Sequence, residues 1–271
     1  MAKFAIISDI HSNYEALEVV LAACAEARVD KYLCLGDIVG YNADPQKCLE
    51  RVLDLDLIAM VRGNHDDLVA SDDEEMDGFN QNARIAILWT RQQLTAEQRA
   101  WLGTPPLRMA VPGIPVTLVH ATLDSPAHWG YVFDVHHAKD NFSYQFTQLC
   151  FCGHSHVPVA FDKRPMTGAN EKSVVEITNW SDKEHENDGT LNWNEADSLS
   201  VQLEAGHKYL FNIGSVGQPR NHDPRASFAI FDDIDKTVTR YRIPYDISAT
   251  QAKIRAAGLP ERLAARLESG I

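Results

Sequence analysis

Five short polar motifs stand out in the sequence, because each follows an apolar run and holds side chains that can bind metal ions. In chain order they are Asp9-Ile10-His11, Gly36-Asp37, Gly63-Asn64-His65-Asp66, His120 and Gly153-His154-Ser155-His156. Polar residues at the carboxyl ends of strands in an α/β sheet converge on one crevice, even when they are distant in sequence. The sequence therefore predicts a single polar site built from all five motifs.

The candidate ligands form a mixed nitrogen and oxygen set. They are two carboxylates, four imidazoles and one amide, from Asp9, His11, Asp37, Asn64, His120, His154 and His156. Such a set suits Mn, Fe, Zn, Ni or Co better than Ca²⁺, which prefers oxygen alone. Seven ligands exceed the needs of one tetrahedral ion. We therefore expect two divalent transition-metal ions, with the Asp37 carboxylate as the bridge between them.

The charge of such a site suits phosphate chemistry. Two divalent ions bring +4 and the two carboxylates −2, so that about +2 is left to hold a hydroxide and a phosphate group. Two ions about 3.5–4 Å apart can clamp both sides of an in-line displacement. They also lower the pKa of a bridging water, so that hydroxide exists near neutral pH.

The elements that must position these motifs alternate between strand and helix patterns. Short apolar runs predict strands over residues 4–8, 32–35, 57–61, 116–120, 149–152, 209–213, 228–231 and 238–243. Apolar spacing predicts helices after residue 14, from Pro45 onward, over 80–94, over 136–148 and over 249–267. Ser12 and Glu15 have the spacing of a capping box ahead of the first helix. The alternation in the first half of the chain favours an α/β fold.

Composition limits the class of protein. A chain of 271 residues predicts one large domain or two small ones. Its net charge, 25 − 38 = −13, disfavours binding to long nucleic acids. No apolar run is long enough for a membrane span, and the N-terminus lacks a signal-peptide pattern, so we expect a cytoplasmic protein. Cys150 and Cys152 alternate with Phe151 in an apolar run and are expected to be buried thiols.

Residues 162–206 differ from the rest in composition, with ten acidic and four basic side chains among many Asn, Ser and Thr. Two apolar segments within them, 174–177 and 199–203, could pair as a hairpin. We interpret the stretch as an acidic insertion in a surface connection, since loops accommodate insertions at little cost. It either shapes substrate access or is a solvated decoration.

Taken together, the ordered motifs resemble the calcineurin-like metallophosphoesterase superfamily, and more closely its small prokaryotic phosphodiesterase-like members. Residues 7–13, 35–41 and 214–220 support the same resemblance, which covers most of residues 1–245 apart from the insertion. The resemblance implies an α/β fold with a four-layer αββα sandwich, in which two packed mixed β-sheets are flanked by helices. It also implies one metallophosphoesterase domain over residues 1–271.

The resemblance further implies roles for the motif residues. One ion would be held by Asp9, His11, Asp37 and His156, and the other by Asp37, Asn64, His120 and His154. His65, next to Asn64, would contact the phosphoryl group and protonate the leaving oxygen. Asp66 would either orient His65 or serve the N-terminus of a helix.

Two segments depart from the family pattern without removing a ligand. His120-Ala121-Thr122 stands where many relatives have H-G, and Asn212-Ile213-Gly214-Ser215 replaces a frequent N-P-G-S. Arg220 and Arg225 follow the second segment and could bind a phosphate bidentately, or could instead pair with a carboxylate such as Asp223. The histidines at positions 128, 136, 137, 185 and 207 are expected to be surface or structural residues.

The leading prediction is a dinuclear metal-dependent phosphoesterase that hydrolyses small phosphoesters through a metal-bridging hydroxide. The resemblance favours a phosphodiester, and a phosphomonoester is the alternative. A non-catalytic interaction scaffold on the same fold is the second hypothesis, and the completeness of the ligand set and His65 argues against it. A nuclease would need a basic groove, against which the net charge of −13 and the absence of Lys/Arg runs argue.

Overall fold

The computed structural model describes residues 2–72, 75–76, 78–166, 174–178 and 195–271. In these residues the strands are β1 (Lys3–Ile7), β2 (Lys31–Cys34), β3 (Leu57–Met60), β4 (Arg108–Ala110), β5 (Val116–Val119), β6 (Leu149–Cys152), β7 (Val159–Lys163), β8 (Val175–Ile177), β9 (Asp197–Gln202), β10 (Lys208–Asn212), β11 (Ala226–Asp232) and β12 (Thr237–Ile243). The α-helices are α1 (Tyr14–Glu26), α2 (Pro45–Leu53), α3 (Asn64–Ala70), α4 (Gln81–Gln93), α5 (Ala96–Leu102), α6 (Val135–Tyr144), α7 (Ile247–Ala256) and α8 (Glu261–Ala265). Short 3₁₀ turns span Pro126–His128 and Arg266–Ser269.

The strands form two mixed sheets of six. The first has the order β3-β2-β1-β11-β12-β9, and the second β4-β5-β6-β10-β7-β8. In the first sheet β1, β2 and β3 run parallel, and in the second β5, β6 and β10 do. Each of the five motifs starts at the carboxyl end of one of these parallel strands, or just beyond it, so the topology brings all five to one region.

The two sheets pack face to face, and helices cover their outer faces. The interface between the sheets buries apolar side chains from both, among them Ile6, Leu33, Leu118, Phe151 and Phe211. Helix α1 packs on the outside of the first sheet through buried side chains such as Leu17 and Val20. Helix α6 covers the second sheet through Ala138 and Phe142. The architecture is the predicted four-layer αββα sandwich.

Most predicted helices are present, but the predicted capping box is wrong. Helix α2 begins at Pro45, whose fixed φ suits the first helical position. The side chain that caps α1 belongs to Asn13, whose Oδ1 accepts from the Ala16 main-chain N–H at 3.1 Å. Ser12 cannot fill that position, because its φ of +58° places it in the preceding loop. The requirements of the loop that carries His11 override the local pattern.

The predicted hairpin within residues 162–206 is also wrong. Strand β8 pairs with β7 at the edge of the second sheet, whereas β9 pairs with β12 at the edge of the first. Strands β8 and β9 thus provide hydrogen-bond partners for the main chains of β7 and β12, each of which would otherwise be the open edge of its sheet. Residues 167–173 and 179–194 lie outside the described part of the chain, so the effect of the insertion on substrate access stays a prediction.

The thiols are buried, as predicted. Cys150 and Cys152 lie in β6 with fully buried side chains, and burial raises the pKa of both. All five cysteines are free. Among the described helices, none combines the length and the apolar character that a membrane crossing requires.

Candidate metal centre

The structure brings all seven predicted ligands together in a buried cluster between the ends of the two sheets. Asp9 and His11 follow β1, Asp37 follows β2, and Asn64 opens α3 after β3. The remaining three, His120, His154 and His156, follow β5 and β6 in the second sheet. Every one of the seven side chains is buried.

The loops that carry these residues are conformationally constrained. Positive φ angles occur at Asp9 (+52°), His11 (+48°), Asp37 (+53°), His154 (+66°) and His156 (+59°). A non-glycine residue in this region costs about 1–3 kcal/mol and persists only where the surroundings hold it. Main-chain hydrogen bonds supply that restraint, since Asp9 donates to Gly36 O at 3.1 Å and His11 to Asp37 O at 2.9 Å.

Asp9, His11 and His156 form the first part of the cluster. The Nε2 atoms of His11 and His156 lie 3.1 Å apart, and His156 Nε2 lies 3.2 Å from Asp9 Oδ1. One ligand atom from each of the three residues lies within 4.8 Å of the others. Ligands about 2.0–2.2 Å from a shared ion have comparable separations, so this geometry suits a common cation.

Asp37, His120 and His154 form the second part, again with ligand atoms within 4.8 Å of one another. His120 Nε2 lies 3.2 Å from Asn64 Oδ1 and 3.4 Å from Asp37 Oδ2. The same Asp37 Oδ2 lies 3.6 Å from His11 Nε2 in the first part. Asp37 thus stands between the two groups of ligands, at the position required of a bridging carboxylate.

Contacts between ring Nδ1 atoms and main-chain carbonyls fix the orientation of three imidazoles. The Nδ1 atoms of His11, His120 and His156 lie 3.0, 2.8 and 2.6 Å from the main-chain oxygens of Val39, Leu35 and Gln218. Because a carbonyl only accepts, we assign a proton to each Nδ1. In the neutral rings, each Nε2 then presents a lone pair to the centre of the cluster. Such carbonyl contacts are typical of histidines that bind metal ions.

The carboxylates and imidazoles shift one another's pKa values. Burial alone would raise the pKa of Asp37, but His120 and His65 outweigh it and hold that pKa well below its usual range. Burial lowers the pKa of His65 to about 4 and that of His154 to about 3. Burial also opposes protonation of His120, yet Asp37 and Asp9 raise its pKa to about 9. At neutral pH the cluster offers ionised carboxylates and mostly neutral imidazoles, with one proton on His120 for an ion to displace.

His65 lies beside the ligands at the start of α3. Its ring centroid lies 4.4 Å from that of Tyr41, and its main-chain N–H donates to Asp37 Oδ1 at 2.8 Å. Buried His65 Nδ1 has no hydrogen-bond partner in the described residues, so we assign the ring proton to Nε2. A Cβ added to Gly40, whose φ is +94°, would lie 2.5 Å from His65 Nδ1. Glycine at this position therefore makes room for the imidazole.

Asp66 does not orient the His65 ring, which corrects one of the two roles considered for it. Its Oδ2 accepts from the main-chain N–H of Asp37 at 2.7 Å and of Gly63 at 3.2 Å, and its Oδ1 accepts from Ile38 at 3.0 Å. Burial, with Asp37 nearby, raises the Asp66 pKa to about 7. The carboxylate thus serves the start of α3 and ties it to the loop after β2, which is the alternative role.

The two candidate arginines have different surroundings. Arg225 is buried and donates to Asp223 Oδ2 at 2.7 Å and to Asp197 Oδ2 at 2.7 Å, so it forms the carboxylate pair that was the alternative to phosphate binding. Arg220 lines the same cavity as Asp37 and His65, with its Nη2 3.3 Å from the Tyr41 hydroxyl. Of the two, Arg220 alone lines this cavity.

That cavity, of about 390 Å³, has an aromatic wall that the sequence motifs did not identify. His128, Trp129 and Tyr131 line it, so His128 is a surface residue, as expected, and also borders the site. The Tyr131 ring stacks on the His154 ring with centroids 4.5 Å apart, and Phe133 stacks on Tyr131. The aromatic residues follow β5 in a loop of irregular structure, which carries no short motif that could reveal them.

The remaining histidines can be placed as well. His207 pairs with Asp162, with its Nδ1 2.8 Å from the carboxylate, which agrees with a structural role. His137 is exposed and its Nδ1 lies 2.8 Å from Asp134 Oδ1. The main-chain N–H of His136 donates to the same Asp134 Oδ1, which caps helix α6. His185 lies outside the described residues.

Comparisons with known proteins agree with this geometry. Residues 2–182 match the calcineurin-like phosphoesterase superfamily domain. An uncharacterized protein of Methanocaldococcus jannaschii is 37% identical over 268 residues, which cover 98% of this chain and 97% of the relative. The crystal structure of a metallophosphoesterase from Sphaerobacter thermophilus is 37% identical, with a TM-score of 0.79 over 100% of this chain and 99% of that one.

A hypothetical protein from Pyrococcus horikoshii shares the fold at 18% identity, with a TM-score of 0.74 over 100% of this chain and 99% of the other. The matched residues 2–182 contain all seven candidate ligands and His65. The family match covers most of the chain, and the M. jannaschii relative matches nearly its full length. The chain therefore belongs to the calcineurin-like phosphoesterase superfamily.

Proposed function

We propose that this protein hydrolyses small phosphoesters with two divalent transition-metal ions, drawn from Mn, Fe, Zn, Ni and Co. One observation carries the proposal: two groups of ligand atoms, each within 4.8 Å, meet at the Asp37 carboxylate. Lone pairs held this close in a buried site repel one another unless a cation lies between them. Membership of a phosphoesterase superfamily supplies the substrate class.

The donor set fits the proposed ions and defines what they would contribute. We assign Asp9, His11, Asp37 and His156 to one ion, and Asp37, Asn64, His120 and His154 to the other. When bound, the ions would supply Lewis-acid polarisation of the phosphoryl oxygens and a water of lowered pKa as the nucleophile. Side chains of the protein would donate the proton and bind the phosphate group.

His65 is the proposed proton donor. Its pKa of about 4 makes the imidazole neutral at pH 7, so its Nε2–H donates a hydrogen bond to a phosphoryl or leaving-group oxygen. A bound phosphate anion would raise the His65 pKa, so that Nδ1 takes up a proton and the resulting imidazolium gives its Nε2 proton to the departing alkoxide, which returns the ring to its neutral form. Asn64 precedes it on α3, so both side chains are held at the same helix start.

Arg220 is the proposed phosphate-binding arginine of the site. Its guanidinium donates to Gln218 Oε1 at 3.0 Å and approaches the Tyr41 hydroxyl, and no carboxylate pairs with it in the described residues. An arginine without an acidic partner can pair bidentately with phosphate oxygens. Arg225 takes no part in this proposal, since Asp223 and Asp197 already occupy its donors.

The cavity supports a small substrate. Its volume of about 390 Å³ lies in the range of small-molecule sites and suits a nucleotide-sized ester. Tyr131 is an exposed aromatic residue in one part of the lining, and Arg220 lies elsewhere in it. We favour phosphodiesters because the aromatic residues around Tyr131 would contact a second ester arm, which a monoester lacks. The net charge of −13 makes long nucleic acids poor substrates.

A substrate screen tests the proposal. The purified full chain is loaded separately with Mn²⁺, Co²⁺, Ni²⁺, Zn²⁺ and Mg²⁺ and assayed on matched mono- and diesters of p-nitrophenol and of nucleosides. We expect turnover with at least one transition metal, faster on diesters, and its loss in Asp37→Asn. Binding of two ions per chain without hydrolysis of any ester would instead support the non-catalytic scaffold.

A further inference from the structure

A second cavity, of about 670 Å³, adjoins the candidate site. It shares Tyr41, Asn80 and Arg266 with the cavity that contains the metal ligands. Its other lining comes from the first turn of α4 and from the C-terminal segment that starts with α8. A ligand with one group at the metal ligands could therefore extend past Tyr41 into this space.

Three arginines line the connected cavities, and none of them pairs with a carboxylate side chain of the described residues. Arg220 lines the first cavity, Arg262 the second and Arg266 both. In the described part of the chain no ion pair includes any of the three, and Arg266 Nε donates to the main-chain oxygen of Ile271. Burial, together with the charges of Arg220 and Arg262, lowers the Arg266 pKa to about 10. The three positive charges thus lie close enough to repel one another.

This arrangement contrasts with the surroundings of two nearby arginines in the sequence, Arg255 and Arg225. Arg255, in the helix just before, pairs with Glu261 at 2.7 Å, and Arg225 pairs with Asp223. Acidic side chains outnumber basic ones by 38 to 25 in the whole sequence, so partners are plentiful. A cluster of unpaired arginines in such a chain indicates an anion supplied from outside the protein.

Helix α4 adds to the positive potential of the second cavity. Asn80, Gln81 and Asn82, at the start of this 13-residue helix, line the space. The first turn of α4 contains no acidic residue, and its free main-chain N–H groups favour an anion. Among the described residues that line the second cavity, none has an acidic side chain.

We propose that Arg262 and Arg266, with the first turn of α4, form a second phosphate-binding site next to the candidate metal centre, where Arg220 keeps its proposed role toward the phosphate that is hydrolysed. The site takes a phosphate group that is not itself hydrolysed. The inference rests on the proposed function and narrows its substrate to phosphoesters that carry a further phosphate. Free inorganic phosphate offers the same chemistry, and the experiment separates the two sources.

Two esters with the same leaving group test the proposal. They are thymidine 5′-(p-nitrophenyl phosphate) and the same compound with a 3′-phosphate. The kcat/KM of the ester with the 3′-phosphate is divided by the kcat/KM of the ester without it. This ratio is measured for the wild type, Arg262→Ala, Arg266→Ala and the control Arg255→Ala. We expect the ratio to fall about 10- to 100-fold in Arg262→Ala and Arg266→Ala, because a charge-assisted contact is lost. It should stay within about twofold in Arg255→Ala, which removes an exposed pair outside both cavities.

Calorimetric titration of the full chain with inorganic phosphate identifies the source. A phosphate site that is lost in Arg262→Ala but kept in Arg255→Ala, with an unchanged ester ratio, assigns the arginines to free phosphate. If both the ester ratio and the phosphate titration are the same in Arg262→Ala, Arg266→Ala and the wild type, the proposal is wrong. If the wild type hydrolyses neither ester with any metal, the proposed function fails, and the phosphate titration alone decides on the second site.

Discussion

The Nε2 atoms of His11 and His156 face each other at 3.1 Å, although 145 positions separate the two residues in the sequence. The Nδ1 atom of each ring lies against a main-chain carbonyl, so both Nε2 lone pairs point inward. The Asp9 carboxylate stands 3.2 Å from one of them. Three acceptors in this arrangement suit a shared cation.

Asp37→Ala is expected to lose both metal ions, because its carboxylate stands between the two groups of ligands. Elemental analysis of the purified protein after metal loading measures the ion content per chain. The control is Asp56→Ala, which removes an exposed carboxylate that pairs with Lys31 on the surface. Two ions per chain in Asp37→Ala would exclude the bridging role.

His65→Gln is expected to keep its metal content and to lose turnover. Removal of a positioned proton donor typically lowers the rate by about 10²–10⁴-fold, and the loss should be largest for esters with poor leaving groups. Steady-state kinetics over p-nitrophenyl and alkyl esters, with elemental analysis of the same samples, measure both effects. Activity within a few-fold of the wild type on the alkyl esters would rule out the proton-donor role.

Metal affinity is expected to rise with pH between pH 7 and 9. Asp37 and Asp9 raise the His120 pKa to about 9, against the effect of burial, so an incoming ion must displace a proton below that pH. Loss of one proton per ion changes the apparent dissociation constant about tenfold per pH unit. Competition with a chelator across this range measures the slope, and an affinity independent of pH would contradict the assignment of the proton to His120.

The same pKa affects the stability of the metal-free protein. Because the folded-state pKa of His120 is raised above the ordinary value of 6.5, its stabilising contribution is fully present below that value. That contribution is lost as the pH rises through about 9. We therefore expect the Tm of the chelator-treated protein to fall between pH 7 and 9. A His120→Asn variant, which lacks the titrating ring, should not show this decline.

Arg225 and Arg220 are expected to respond in opposite ways to substitution by alanine. Arg225→Ala leaves the buried Asp223 with Arg242 as its ion-pair partner and should destabilise the fold by about 3 kcal/mol, with kcat/KM largely retained. Arg220→Ala should lower kcat/KM about 10- to 100-fold with little change in stability. Denaturant unfolding and steady-state kinetics on both variants provide the comparison. An Arg225→Ala variant of normal stability but impaired kcat/KM would indicate that Arg225 binds substrate and is not a structural residue.

Local sequence was sufficient to predict the strands that carry the five motifs and the polar residues that follow them. An apolar run that ends in Asp, His or Asn determines both a buried strand and a polar loop, as in the segment from β1 to His11. The capping of α1 was not predictable in this way, because tertiary contacts place Ser12 in the loop and give the cap to Asn13. The partners of β8 and β9 were mispredicted, because the sheet edges they join are made by distant strands.

The sequence by itself determined the α/β class and the chemical types of the candidate ligands, since hydrophobic periodicity and residue type are local properties. The αββα sandwich was implied by the resemblance of its motifs to a known superfamily. Only the tertiary structure decided which lone pairs face each other, which carboxylate stands between the ligand groups, and that burial keeps His65 neutral. It alone brought Tyr131 and Arg266 to the site and kept Arg225 away from it. The physical reason is that distances, burial and the charges that set a pKa arise between segments far apart in the chain, after the two sheets have packed.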